Sequence, residues 1–243
     1  MTADDLLQIG YTVSFEWGWQ GADALAPLAD VTVVVDVLSF TTTLSVAADL
    51  GIAVVPHAGD PDEAVRVALD HGATLAGPRS LTAGPSLSPA SLRRWARPGT
   101  LVLPSPNGSA ISRRLAVRGT QVVGASLRNA DAVAEAVSGV DRVLVVAAGE
   151  AWPDGSLRPA VEDLWGAGAV VAALGERGLS LSPEASAAAA AYREVRGREH
   201  RALLECASGR ELTGRGLDAD VGIAAEVGQS GSVPRLVDGA FVR

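Results

Sequence analysis

Lysine is missing from this chain: all 20 of its basic residues are arginine. No lysine can therefore act as nucleophile, Schiff base or phosphate clamp, and any basic contact to an anion falls to a guanidinium. Cysteine is nearly missing as well. Cys206 stands alone, which rules out an intramolecular disulfide and a thiolate metal cluster and fits a reducing compartment. His57, His71 and His200 lie far apart, with no metal-ligand spacing between them. Nowhere do about 18 apolar residues run together as a membrane span requires. Asp4 and Asp5 occupy the region where a signal peptide would be positive. These features predict a soluble, cytoplasmic protein without a membrane partner. No Gly-x-Gly-x-x-Gly follows a strand pattern, and neither a Walker A sequence nor a Gly-x-Ser-x-Gly elbow is present. Dinucleotide redox chemistry and triad hydrolysis lose ground accordingly.

What is present describes a well-packed globule. The 243 residues are 48% hydrophobic with a formal net charge of -8 and a pI near 4.9. Such a balance argues against a nucleic-acid partner, because nucleic-acid binders concentrate positive charge to displace counterions. Strand patterns alternate with helix patterns and no solenoid-length repeat occurs. The expectation is a three-layer α/β/α architecture with a largely parallel central sheet. Residues 1–243 read as one unit, or as two closely packed halves at about 1–125 and 126–243.

The organising stretch is VTVVVDVLSFTTT, Val31 to Thr43. Its apolar run suits a central strand buried on both faces, with Asp36 near the carboxyl end and Thr41, Thr42 and Thr43 opening a helix. In open α/β sheets that edge binds ligands, and a helix N-terminus favours an anion. One reading gives Asp36 to a metal and the threonine hydroxyls to a phosphate. The other has Asp36 bonding a loop backbone while the threonines cap a helix. A second turn of this kind, Pro104 to Ser109, follows the strand pattern Thr100 to Leu103. Its Asn107, Gly108 and Ser109 suit an anion, or a plain tight turn.

Between these lies the long loop and short helix of residues 77–95, whose one early charge, Arg79, is an anion contact or a solvated surface residue. Asp60-Pro61-Asp62-Glu63 marks a helix start by N-cap, N1 proline and N3 acid. Glu16 to Gly21 reads as an aromatic-glycine turn before a helix from Ala22, and residues 151–159 as an acidic loop. Glu162 and Asp163 open a further helix, as ligands or as compensation of its dipole. REHRALLECASG reads as one helix, Gly214 to Gly228 as another, and SVPRLVDGAFV as a hairpin around Asp238-Gly239.

VVVDVLSFTTT, the Asn107-Gly108-Ser109 turn, the Ala148-Gly149 strand end, Glu162-Asp163 before GAGAVV, and the terminal SVPRLVDG together resemble, in the same order, the 2-phosphosulfolactate phosphatases, or ComB-like proteins. The resemblance spans about residues 10–243. It implies that family's own α/β fold and magnesium-dependent hydrolysis of a phosphate monoester on a sulfonated hydroxy acid. It also implies Asp36, Arg79 and Asn107 as catalytic residues, and Thr41, Thr42, Thr43, Asn107, Gly108, Ser109 and Arg79 around the phosphate. Asp36, Glu162 and Asp163 would hold Mg²⁺, with either Asp36 or a metal-bound water as nucleophile. Ser39 and Phe40 stand where the family commonly has Arg and a small residue, and Ala110 where it often has Arg, so two guanidiniums are lost. The expected partner is a small phosphorylated acid. A non-catalytic binder of such a ligand and a phosphatase for another phosphomonoester are the alternatives; a homodimer is allowed, though no interface can be named.

Overall fold

A run of five buried residues, Val31–Val35, forms β2 and sets the architecture. Val33 and Val35 project into one apolar cluster and Val34 into another, because successive strand side chains point to opposite faces. A strand covered on both sides has no polar face, which is why its sequence shows no alternation. The computed structural model describes residues 7–80 and 84–243. Asp4 and Asp5, and Leu81 to Ala83 of the expected long loop, lie outside that range.

In chain order, β1 (Val13–Trp17) and α1 (Gly18–Leu25) precede β2. Then come α2 (Phe40–Asp49), β3 (Ile52–His57), α3 (Pro61–Asp70), β4 (Thr74–Leu75), α4 (Pro89–Trp95), β5 (Gly99–Pro104), α5 (Gly108–Ala116), β6 (Gln121–Ala125), α6 (Ala130–Val137) and β7 (Val143–Ala147). A small hairpin, β8 (Glu150–Ala151) and β9 (Leu157–Arg158), leads to α7 (Val161–Glu176), α8 (Pro183–Val195), α9 (Glu199–Glu205), α10 (Ala207–Gly214), α11 (Asp218–Ala224), β10 (Arg235–Val237) and β11 (Ala240–Val242). The architecture is the expected α/β/α sandwich around a mostly parallel sheet. One face carries the buried residues of α6, α7 and α8, the other those of α1, α2 and α5.

The nine-stranded sheet runs β1-β7-β2-β6-β10-β11-β3-β5-β4. Four parallel strands lie on one side and three on the other. The C-terminal hairpin bridges them, β10 antiparallel to β6 and β11 antiparallel to β3. β7, from late in the chain, sits between β1 and β2. Among the described residues no helix is long and apolar enough to cross a membrane.

Several local expectations change. α1 begins at Gly18, directly after β1, with Trp17 still extended as its N-cap, so Glu16 to Gly21 is not a free turn. The acidic loop folds into β8–β9, held by Trp152 N–H donating to the Ser156 carbonyl at 2.8 Å and Ser156 N–H donating to Asp154. The single helix expected over REHRALLECASG breaks at Cys206, whose ψ of 165° is extended and whose sulfur accepts the Gly209 N–H. A Cβ on Gly209 would stand 1.7 Å from the Leu203 carbonyl oxygen, so the two short helices meet only because residue 209 has none. The helix expected over Gly214 to Gly228 contracts to α11.

Phe241 of β11 is 2% exposed and packs edge-on against Phe40 at the start of α2, with ring centroids 6.0 Å apart. Removing this ring would hollow out the join between the two parallel groups. Phe241→Ala is expected to cost about 3–5 kcal/mol of stability, read as a lower denaturation midpoint in urea.

Candidate active site

Asp36 follows β2 directly and is 7% exposed. One carboxylate oxygen accepts the Phe40 N–H at 3.1 Å, closing the loop onto the first turn of α2. The other accepts the Gly108 N–H at 2.9 Å, drawing in the start of α5. The loop-backbone reading of Asp36 therefore holds, and the same carboxylate also borders a cavity. Gly108 is required at its position: a Cβ would stand 2.4 Å from Phe40 and 2.7 Å from Asp36 Oδ2. Burial pushes the Asp36 carboxyl above its ordinary value. Glu162 adds to the rise, while the two N–H donors and Arg79 oppose it.

The expectation that threonine hydroxyls hold a phosphate is corrected. Thr41, Thr42 and Thr43 are fully buried. Their hydroxyls donate to the carbonyls of Asp36, Val37 and Leu87 respectively. Polar groups in a dry position must find partners: Thr41 and Thr42 take carbonyls just after β2, and Thr43 takes one in the loop before α4. Ser109 is likewise buried, donating to the Leu103 carbonyl. Of the Asn107–Ser109 turn, only Asn107 borders the cavity, where its amide donates to Glu150 at 3.0 Å.

Asp163 takes a positioning role. Its oxygens accept Val37 N–H at 2.7 Å and Gly149 N–H at 2.9 Å, clamping the chain after β2 to the chain after β7. Burial first, then the charges of Asp36 and Glu162, raise its carboxyl well above the ordinary range. Glu162 is 2% exposed and lies against the Cys206 thiol, which burial and that carboxylate push up to about 12. A thiol so placed is not a thiolate nucleophile at neutral pH.

The expected metal set of Asp36, Glu162 and Asp163 is not assembled. Among the described residues no three His, Cys, Asp or Glu side chains are gathered as a metal site, Asp163 being turned to its two backbone donors. The chemistry of the remaining donors fits Mg²⁺ nonetheless. Asp36 and Glu162 carry oxygen donors, the charge of Glu162 adding to the rise of the Asp36 carboxyl, and Mg²⁺ commonly takes one or two carboxylates while keeping water and phosphate oxygens.

Arg79 is a structured part of the site. It donates to Ser39 Oγ at 3.2 Å and pairs with Asp220 at 3.5 Å. Burial lowers its ordinary pKa, with Asp220 and Asp36 opposing. Asp220 on α11 is 1% exposed and also receives the Ser88 hydroxyl and Ala90 N–H, which fixes the start of α4. Neither Asp220 nor α10 stood out in the sequence. Yet α10 and the residue after it bring Ser208, Glu211 and Arg215 to the cavity wall. Glu211 and Arg215 form an i,i+4 pair at 3.0 Å, a spacing that reads in sequence as an ordinary solvated helix face.

The cavity is about 190 Å³ and is bordered by Asp36, Ser39, Arg79, Asn107, Glu150 and Arg215 among others. Burial raises the Glu150 carboxyl, and Asp36 and Glu162 add to the rise against the Asn107 hydrogen bond. The α/β sandwich thus sets three carboxylates, Asp36, Glu150 and Glu211, and two guanidiniums, Arg79 and Arg215, around one polar cavity. The chain belongs to the 2-phosphosulpholactate phosphatase family, whose model matches residues 22–239. It is 28% identical over 227 residues to a Thermotoga petrophila protein named "Probable 2-phosphosulfolactate phosphatase", covering 90% of this chain and 96% of that one. The family is one of phosphoric monoester hydrolases.

Asp163→Asn would set an amide N–H₂ against one of the two backbone donors. We expect a loss of about 1–3 kcal/mol, measured by chemical denaturation.

Proposed function

We propose that this chain is a Mg²⁺-dependent phosphatase acting on a small anionic phosphomonoester at the Asp36 cavity, with 2-phosphosulfolactate the first candidate. The observation that carries this is the meeting of Asp36, Arg79 and Arg215 at one polar cavity in a chain of this family. Arg79 and Arg215 take the non-bridging oxygens, where a guanidinium offers charge and paired donors. Asp36 and Glu162 are the residues that would hold the cation, which when bound withdraws charge from a phosphoryl oxygen. Asp163 keeps the Asp36 loop in place from behind.

Water is the nucleophile in this reading, since both Asp36 oxygens are already drawn to backbone N–H groups. Its oxygen bonds to phosphorus as the ester P–O bond breaks. Glu150, whose carboxyl burial shifts upward, gives its proton to the departing alkoxide. The water's hydroxyl stays on phosphorus as hydrogen phosphate, and its other proton restores Glu150.

Phosphate release from 2-phosphosulfolactate and a panel of other phosphomonoesters, with and without Mg²⁺ after chelation, tests the reading. Turnover is expected only with Mg²⁺ and is abolished in Asp36→Asn with the circular dichroism of the fold retained. Full activity in that variant, or none from the wild type on any ester, would refute it.

Glu150 has its own signature. A general acid works protonated, so kcat should fall as pH rises through its elevated pKa, and Glu150→Gln should remove that limb. The same variant should lose about 10²–10⁴-fold on alkyl phosphates and far less on p-nitrophenyl phosphate, whose leaving group needs no proton.

A further inference from the structure

We infer that Asp220 is a positioning residue for phosphate: its Oδ2 holds the Arg79 guanidinium open toward the cavity, while its Oδ1 secures the start of α4. This rests on the phosphatase reading above, which gives Arg79 to the non-bridging oxygens, and adds the group that aims it. The two oxygens are divided by partner. Oδ1 accepts the Ser88 hydroxyl at 2.5 Å and the Ala90 N–H at 3.1 Å. Oδ2 accepts from Arg79 Nη1 at 3.5 Å, and Ser39 Oγ accepts from the other terminal nitrogen, Nη2, at 3.2 Å. The planar fork is gripped at both prongs, which sets its orientation.

Asp220 is 1% exposed and does not border the cavity, whereas Arg79 does, so it acts on an anion there through the guanidinium and not by contact. Removing it has two opposed effects. Deleting a negative charge by itself favours a phosphate. Against this, burial lowers the Arg79 pKa, and of the charges that oppose the fall Asp220 comes first and Asp36 second. Without Asp220 the strongest remaining attraction is to Asp36, which borders the same cavity. A released fork turns onto Asp36 and takes up space that the phosphate needs. The loss of alignment outweighs the gain in charge, because paired N–H bonds to phosphate depend on orientation, while the Asp220 charge is screened from the anion by the guanidinium between them.

The test reads Kd for inorganic phosphate by calorimetry, with Mg²⁺ present, beside KM for whichever ester is hydrolysed. Asp220→Asn keeps an oxygen for Ser88 and Ala90 but sets an amide N–H₂ against Nη1. It should raise both constants about tenfold, with kcat falling less. In an Arg79→Ala background the same substitution should add nothing, a coupling that a purely structural role would not produce. Ser88→Ala, which loosens only the α4 side, should lower the denaturation midpoint and leave Kd and KM as they are. Unchanged or tighter phosphate binding in folded Asp220→Asn, the same loss on top of Arg79→Ala, or the same loss in Ser88→Ala overturns this inference and leaves the phosphatase reading standing. Should Asp220→Asn not fold, Arg79→Ala decides: free guanidinium, seated between Asp220 and Ser39, is expected to restore phosphate affinity, and no restoration overturns the inference. A wild type that binds no phosphate and hydrolyses no ester overturns the reading and this inference together.

Discussion

A single carboxylate ties together the starts of two helices that follow distant strands of the sheet. Asp36 bonds the first turn of α2 through Phe40 and the first turn of α5 through Gly108. Those helices follow strands on opposite sides of the bridging hairpin. The contact is possible because residue 108 has no side chain, Phe40 filling the space a Cβ would need. Charge-assisted bonds from backbone donors are among the stronger ones in a dry site, and they partly offset the cost of burying the group. The carboxylate is thus a structural bolt that also faces the cavity.

Around it the site is assembled in tiers. Asp163 clamps the end of β2 to the end of β7. Thr41 and Thr42 take up carbonyls just after β2, and Thr43 one in the loop before α4. Asp220 fixes Arg79 on one side and the start of α4 on the other. Asp36, Asp163 and Asp220 are each matched by backbone N–H groups, a hydroxyl or a guanidinium, as low-dielectric surroundings demand. Ser39 accepts from Arg79, so a guanidinium reaches this corner from elsewhere in the chain. Arg215 adds another from α10.

Much of the scaffold could be read directly from residues. The unbroken apolar run gave β2 away, Asp60-Pro61 marked the start of α3 by a cap that is present, and Asp238-Gly239 marked the hairpin turn. These are local signals, governed by φ/ψ preferences and neighbours within a few residues. The site was less legible. The threonine hydroxyls suited phosphate by type, but what a hydroxyl bonds depends on which carbonyls the tertiary fold leaves free. Arg215 reaches the cavity wall and Asp220 reaches Arg79 from more than 130 residues further along the chain, and no local pattern distinguishes them from surface charges. The break at Cys206 rests on a backbone approach at Gly209 that becomes visible only once the chain has doubled back.

The position of β10 and β11 governs how this molecule comes into being. Seven parallel strands precede them in the chain, yet these two short strands fill the middle of the sheet. While synthesis has reached only Ser232, β6 and β3 are left as raw edges that nothing yet covers, the kind of surface on which sheets from different molecules join. Closure awaits contacts between segments far apart along the polypeptide, which are slow to form. A chain without Arg235–Val242 would thus keep α1 to α11 and have an open seam through the centre of its sheet.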